Sequence, residues 1–176
     1  MQTVDVVEAI KGRRSVRAFR NEDVSEEAVA RLIDAAHWAP SAGNIQPWEF
    51  IIVRKTELKR RLVEAAFGQS FVEEAPVVIV VCAREDLSSK RYGLRGRALY
   101  CLQDTAAAVQ NIHLTAFSFG LGTCWIGAFR EDDVREALGV PREARPVALI
   151  PVGYPVGVSS APKRRSAGEI THRESF

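Results

Sequence analysis

Apolar positions along this chain switch between a helical spacing and unbroken runs, and each switch marks an element. Asp5 to Lys11 reads as a short helix with Val6, Val7 and Ile10 on one face and Gly12 as its stop. Ser25 is a helix cap, followed by Glu26 and Glu27; Val29, Leu32, Ile33 and Ala36 then recur at the i, i+3, i+4, i+7 spacing until Pro40 ends the pattern. Trp48 to Val53 reads as a strand. Thr56 to Phe67 reads as a helix with Leu58, Leu62 and Val63 inward. Val77 to Cys82 is an unbroken valine-rich run, the pattern of a strand covered on both faces. Val147 to Val152 is the third strong strand despite Pro151, and Glu131 to Leu138 is a short helix stopped by Gly139.

The longest helical pattern is Leu99 to Phe119, about 30 Å at roughly 1.5 Å per residue. Leu102, Ala106, Val109, His113, Ala116 and Phe117 form one stripe, and Ala107, Ala108 and Ile112 extend it, so this helix is expected to be central and packed on several sides. Arg84 to Arg97 is polar and basic, a loop or a frayed helix. The tail from Val156 to Phe176 shows no period, and the chain holds no internal repeat and no linker.

At 176 residues, 47% hydrophobic and 26% charged, the sequence predicts one compact domain spanning 1–176. A chain of this size has limited surface for a deep pocket, so a large ligand would call for a second subunit. The formal charge of +2 speaks against a nucleic-acid partner. The longest apolar stretch, Pro76 to Ala83, is too short to span a bilayer, and Met1 to Asp5 lacks the flank of a secretory leader; a cytoplasmic location is expected. Cys82, Cys101 and Cys124 are not spaced as a metal knuckle or a redox dithiol, and Cys82 reads as a buried, inert thiol. His37, His113 and His172 complete no zinc spacing.

Four segments could carry chemistry. Arg13-Arg14-Ser15-Val16-Arg17 follows a helix end; its guanidinium groups fit phosphate oxygens, or equally cap the helix dipole as a solvated cluster. The loop from Ala39 to Trp48 offers Asn44, Gln46 and an aromatic together, suited to a planar heterocycle, although Ser, Gly and Asn are also ordinary turn residues. Gly120 to Gly127 contains Gly-x-Gly but follows a helix and lacks the third glycine, which excludes a dinucleotide fingerprint; its backbone N–H groups could still approach a ligand. Lys163-Arg164-Arg165 is by default a solvated charge run. His113, on an apolar helix face, reads as a core histidine in preference to a catalytic one.

In order and spacing, Arg-Arg-Ser-Val-Arg, Pro-Ser-Ala-Gly-Asn-Ile-Gln-Pro-Trp, Gly-Leu-Gly-Thr-Cys-Trp-Ile-Gly and Pro-Lys-Arg-Arg together resemble the FMN-dependent nitroreductase family over nearly the whole chain, Val6 to His172. The resemblance implies an α+β fold: a mixed central sheet of four to five strands flanked by helices. It implies a homodimer with the long helix at its interface, FMN sites shared between subunits, and a C-terminal tail that adds a strand to the partner's sheet. It also implies two-electron transfer, in which NAD(P)H reduces bound FMN and a nitroaromatic, quinone or related small-molecule oxidant then takes the electrons. By the same resemblance Arg13, Arg14 and Ser15 hold the FMN phosphate and ribityl chain, and Arg17 stands at the pyrimidine edge. Pro40, Ser41, Ala42, Asn44 and Gln46 reach the flavin of the other subunit. Trp125, Ile126, Gly127 and Ala128 offer backbone N–H groups to the ring, Gln69 contacts the pyrimidine, and Lys163 with Arg165 closes a second clamp on the phosphate. No side chain is implied as a catalytic residue, because the flavin carries the chemistry. Two departures stand out: Gly127 replaces an acidic residue common in the family, and the interval before the long helix is short. They leave open an enone reductase, a dehalogenase, a flavin-consuming enzyme or a non-catalytic flavin-binding protein.

Overall fold

The computed structural model describes residues 4–157 and 159–176; Met1 to Thr3, most of the stretch read for a leader, and Val158 in the tail lie outside the described residues. The sheet holds β1 (Trp48–Val53), β2 (Val77–Arg84), β3 (Gly122–Thr123) and β4 (Ala144–Gly153) in the order β1-β2-β4-β3. All named pairs are antiparallel, and the expected mixed character is confined to one parallel bridge, Ser15 to Thr123, outside the named strands. Strand alternation sends Val77, Ile79 and Val81 of β2 to one face and Val78, Val80 and Cys82 to the other, and all six are buried. The first face packs against α2 (Glu26–His37) and α6 (Cys101–Ser118), the second against α3 (Thr56–Ala65) and α7 (Glu131–Leu138). The central strand therefore needs apolar residues at every position, which is the pattern the sequence carries.

Three elements depart from the periodic reading. The polar stretch after β2 forms a helix, α5 (Glu85–Arg95), continued by a wide turn over Gly96–Tyr100 into α6. Ion pairs hold α5: Glu85 receives Arg97 and Arg145 at 2.9 and 3.4 Å, and Asp86 receives Arg84 at 2.9 Å. No apolar period marks such a helix. The four-residue α4 (Phe71–Glu74) and the two-residue β3 are too short to carry one. The stripe on α6 also turns: Val109, His113 and Ala116 are buried, while Leu102, Ala106 and Phe117 sit at its half-open margin. On α1 (Val6–Gly12) Val6, Val7 and Ile10 do share the apolar character expected, but they lie 61, 49 and 54% exposed, and Ala9 is the helix's buried residue. The tail forms no strand among its described residues, only a short turn at Ala167–Glu169.

Candidate functional site

The Arg13–Arg17 segment leaves the end of α1 and runs alongside β3. Val16 donates its N–H to the Thr123 carbonyl at 2.9 Å, and Ser15 forms the parallel bridge to the same residue. This contact requires a glycine at 122: an added Cβ there would lie 2.6 Å from Val16 Cγ2. Behind the strand, Thr123 Oγ1 lies 2.6 Å from Nδ1 of His113, which is 2% exposed. Burial, with the nearby Arg13 charge, pushes His113 down to about 4, so its ring is neutral at physiological pH. The expected core histidine is thus a post that fixes β3 beneath the arginine segment. Cys124 is also buried; desolvation raises its thiol pKa, opposed by Arg17, a Ser15 hydrogen bond and Arg13.

The structure divides the arginines of this segment between the two readings of the sequence. Arg14 folds back and donates from Nη1 to the carbonyls of Lys11 and Arg13 at 2.6 and 2.8 Å, capping the helix end, while its buried Nε has no partner. Arg13 and Arg17 form no ion pair among the described residues. They line a cleft of about 270 Å³ with Arg14 and Ser15 on one wall and Ser159, Ser160, Pro162 and Arg164 on the other. Of the tail cations, Arg164 lines this cleft. Lys163 is exposed and does not line it, and Arg165 donates from Nη2 to the Glu169 carbonyl at 2.6 Å. A larger groove of about 530 Å³, lined by Ala28, Phe117, Phe119, Leu121 and Tyr154 among others, shares no residue with it.

From the cleft, contacts lead to the stretch from Trp125 to Ala128. The Arg17 guanidinium lies 5.9 Å from the centroid of the Phe71 ring. Two residues earlier, Gln69 donates from Nε2 to Ala66 at 3.0 Å and to the Ala128 carbonyl at 3.4 Å. Trp125 is 42% exposed, with its ring 6.0 Å from that of His113. Gly127 and Ala128 are exposed, and their N–H groups have no partner among the described residues. Ile126 departs from its expected role. Its N–H donates to Leu149, its carbonyl accepts from Leu149, both at 3.0 Å, and its side chain is 3% exposed in the core. An N–H already used within the sheet is not free for a ligand.

The Pro40–Gln46 loop lies apart. Ser41 Oγ accepts from the Gln46 N–H at 3.0 Å, and Gln46 Nε2 donates to the carbonyl and side-chain oxygens of Asn44 at 3.1 and 3.2 Å. Gly43, Asn44 and Gln46 all have positive φ, 57, 55 and 54°. This turn is fastened to α6 by the Ala42 N–H on Asp104 Oδ1 at 3.1 Å, and to α5 by Arg91 Nη1 on the Gly43 carbonyl at 3.1 Å. Pro40 is exposed, and no residue from Pro40 to Gln46 lines the cleft. Sequence reasoning did not single out Asp104, Arg91 or the two tail serines, and it marked Thr123 and Arg164 only as members of their segments, without a role of their own. The only signal for Asp104 was a carboxylate standing among alanines at the start of the long apolar helix.

A model of the nitroreductase family matches residues 10–72 and 66–154. A Methanothermobacter thermautotrophicus protein, whose name couples NADH dehydrogenase with NAD(P)H nitroreductase, is 38% identical over 156 residues, covering 86% of this chain and 78% of its own. An FMN reductase [NAD(P)H] of Bacillus subtilis is 29% identical over 98% of this chain and 74% of its own. The solved NADPH:FMN oxidoreductase of Vibrio harveyi, complexed with NAD+, superposes with a TM-score of 0.88 at 25% identity, covering 97% of this chain and 77% of that one. The chain belongs to the nitroreductase family.

Proposed function

We propose that this protein is an FMN-dependent oxidoreductase that takes two electrons from NAD(P)H and passes them to nitroaromatics, quinones or related acceptors, and that it works as a homodimer in the cytoplasm. The observation that carries the reading is the cleft where Arg13, Arg17 and Arg164 meet beside Ser15 without a carboxylate lining it. Forked guanidinium groups and a hydroxyl are the donor set of a phosphate site, and the buried, unpartnered Nε of Arg14 adds a donor at the same place. The residues present therefore fit FMN. Bound FMN would supply the two-electron chemistry.

This chain's residues would do the rest. Arg13, Arg164 and Ser15 hold the phosphate, with Arg14 keeping the helix end in place. Arg17 and the Gly127 and Ala128 N–H groups form the line of donors that leads away from the cleft and would stabilise negative charge on a bound flavin, with Gln69 fastened to Ala128 beside them. Trp125, half-exposed, bounds that line. Lys163 and Arg165 would join the clamp only after a movement of the tail.

The dimer reading rests on two further observations. Val6, Val7 and Ile10 expose one apolar face in the single chain, a cost that association removes. The Pro40–Gln46 turn, built with strained backbone and anchored on α5 and α6, does not line the arginine cleft of its own chain, consistent with service to a second subunit. Among the described residues no helix is long and apolar enough to cross a membrane.

The test is direct. The flavin-free protein is titrated with FMN and followed by absorbance, then mixed anaerobically with NADH or NADPH, and finally given a nitroaromatic. The expected result is a yellow protein bleached by one donor and recoloured by the acceptor. A protein that stays colourless after FMN addition overturns the reading.

A further inference from the structure

At the C-terminal part of α5 two guanidinium groups are held in position without a counter-charge. Arg54, Arg60, Arg84, Arg97, Arg130 and Arg145 all pair with carboxylates. Arg91 and Arg95, at the end of α5, do not pair with any among the described residues. Each is oriented by neutral groups. Arg91 lies 5.5 Å from the centroid of Tyr92 and donates to the Gly43 carbonyl. Arg95 lies 5.4 Å from the centroid of Tyr100 and donates from Nε to its hydroxyl at 3.0 Å. The two tyrosine rings meet edge to face at 5.2 Å, so both cations are mounted on one aromatic pair. Packing fixes the mount against the Pro40–Gln46 turn: a Cβ added at Gly43 would lie 2.6 Å from the Tyr92 hydroxyl and 2.7 Å from Arg91 Nη1.

We propose that Arg91 and Arg95 form a docking subsite for the phosphate groups of the reduced nicotinamide dinucleotide that donates electrons. The inference rests on the proposed FMN reading, because that reading assigns the Pro40–Gln46 turn to the edge of a flavin site. Each guanidinium uses one of its five N–H donors in the contacts above, and both residues are exposed. A cation already held by a ring and an oxygen loses little freedom when an anion arrives, and planar forks suit phosphate oxygens. The donor is the diffusing substrate that carries phosphate, whereas nitroaromatics and quinones need none. The site shares no residue with the Arg13–Arg17 cleft, and Arg95, whose hydrogen bond and ring contact are both to Tyr100, can be changed without touching the residues proposed to hold FMN.

The experiment uses Arg95→Gln and the double variant Arg91→Gln/Arg95→Gln in the FMN-titrated protein. Arg95→Gln leaves the Arg91 contact to Gly43 in place and so separates binding from loop disturbance. Two readouts are taken: ADP binding by calorimetry, on flavin-free and FMN-titrated protein, and steady-state kinetics with NADH and NADPH against a neutral quinone and against nitrobenzoate. The expected result is a rise of about tenfold in the donor KM and in the ADP dissociation constant for Arg95→Gln, with its kcat and FMN affinity unchanged, a larger rise for the double variant, and differences that shrink at high salt. Undetectable ADP binding to the wild-type protein, or donor KM values unmoved in both variants, overturns the proposal. So does a rise confined to the KM of an anionic acceptor such as nitrobenzoate. Failure of the FMN reading shows separately, as a protein that takes up no FMN in the titration.

Discussion

His113 ties the fold beneath the arginine segment to pH, and the size of the effect can be worked out. Its ring is 2% exposed, its Nδ1 is bonded to Thr123, and its pKa is pushed from 6.5 to about 4 by burial first and the Arg13 charge second. In the unfolded chain the ring takes a proton near its ordinary value; in the folded chain it resists until about 4. Between those values the unfolded state binds more protons, so the contribution is complete above pH 6.5 and is lost as pH falls through the window to about 4. At about 1.4 kcal/mol per tenfold change in proton affinity, the interval amounts to about 3 kcal/mol, a large share of an ordinary domain's stability. His113→Asn removes the titration while offering an amide near the position of Nδ1. It leaves space behind, which lowers stability by a similar amount at every pH. The assay is urea unfolding of both flavin-free proteins at pH 7.5, 6, 5 and 4. Carboxylates common to the two proteins cancel in the difference. The advantage of wild type over variant is expected to shrink by about 3 kcal/mol from pH 7.5 to 4. Parallel stability curves across that range would refute the neutral, buried assignment of His113.

Further outcomes follow from the same geometry. Arg13→Ala is expected to weaken FMN binding roughly ten- to hundredfold, the loss of one charge-assisted contact, read by fluorescence titration; an unchanged affinity would remove Arg13 from the phosphate site. Gly122→Ala drives a methyl group into Val16 and should cost about 1–3 kcal/mol in thermal unfolding while also lowering FMN affinity, since β3 carries the arginine segment; a fully stable variant would contradict the tight approach. Cys82, Cys101 and Cys124 are all buried with raised pKa values, Cys82 to about 11, each chiefly through desolvation. A thiol reagent at pH 8 should therefore label the native protein far more slowly than the urea-unfolded one, and rapid labelling of a native thiol would expose a local opening. Sedimentation at micromolar concentration should give a dimer, and replacing Ile10 by Asp should shift it toward monomer; a wild-type monomer would argue against a shared site.

What the sequence could and could not show follows from where each element gets its stability. β2 and β4 were legible because a strand covered on both faces must be apolar at every position, and no other element of this chain imposes that run. α5 was legible only as a loop or a frayed helix, because its hold on the sheet is ionic, through Glu85 and Asp86, and charges leave no period. The shared face of Val6, Val7 and Ile10 on α1 was legible but its exposure was not, since periodicity reports that a face is apolar without saying which molecule covers it. The arginine cluster gives the clearest case. Composition allowed a helix cap or a phosphate site, and both readings stood because the choice depends on which carbonyls lie within reach. The fold assigns the cap to Arg14, whose Nη1 meets two carbonyls at the end of α1, and leaves Arg13 and Arg17 facing the cleft. That division in turn depends on β3, two residues with no sequence signature beyond a glycine, pinned from behind by His113. The chemistry was readable as a set of donors in order along the chain. Its geometry was set by a buried histidine, a missing Cβ at Gly122 and a carboxylate at Asp104, each of which acts through a single contact that spacing cannot reveal.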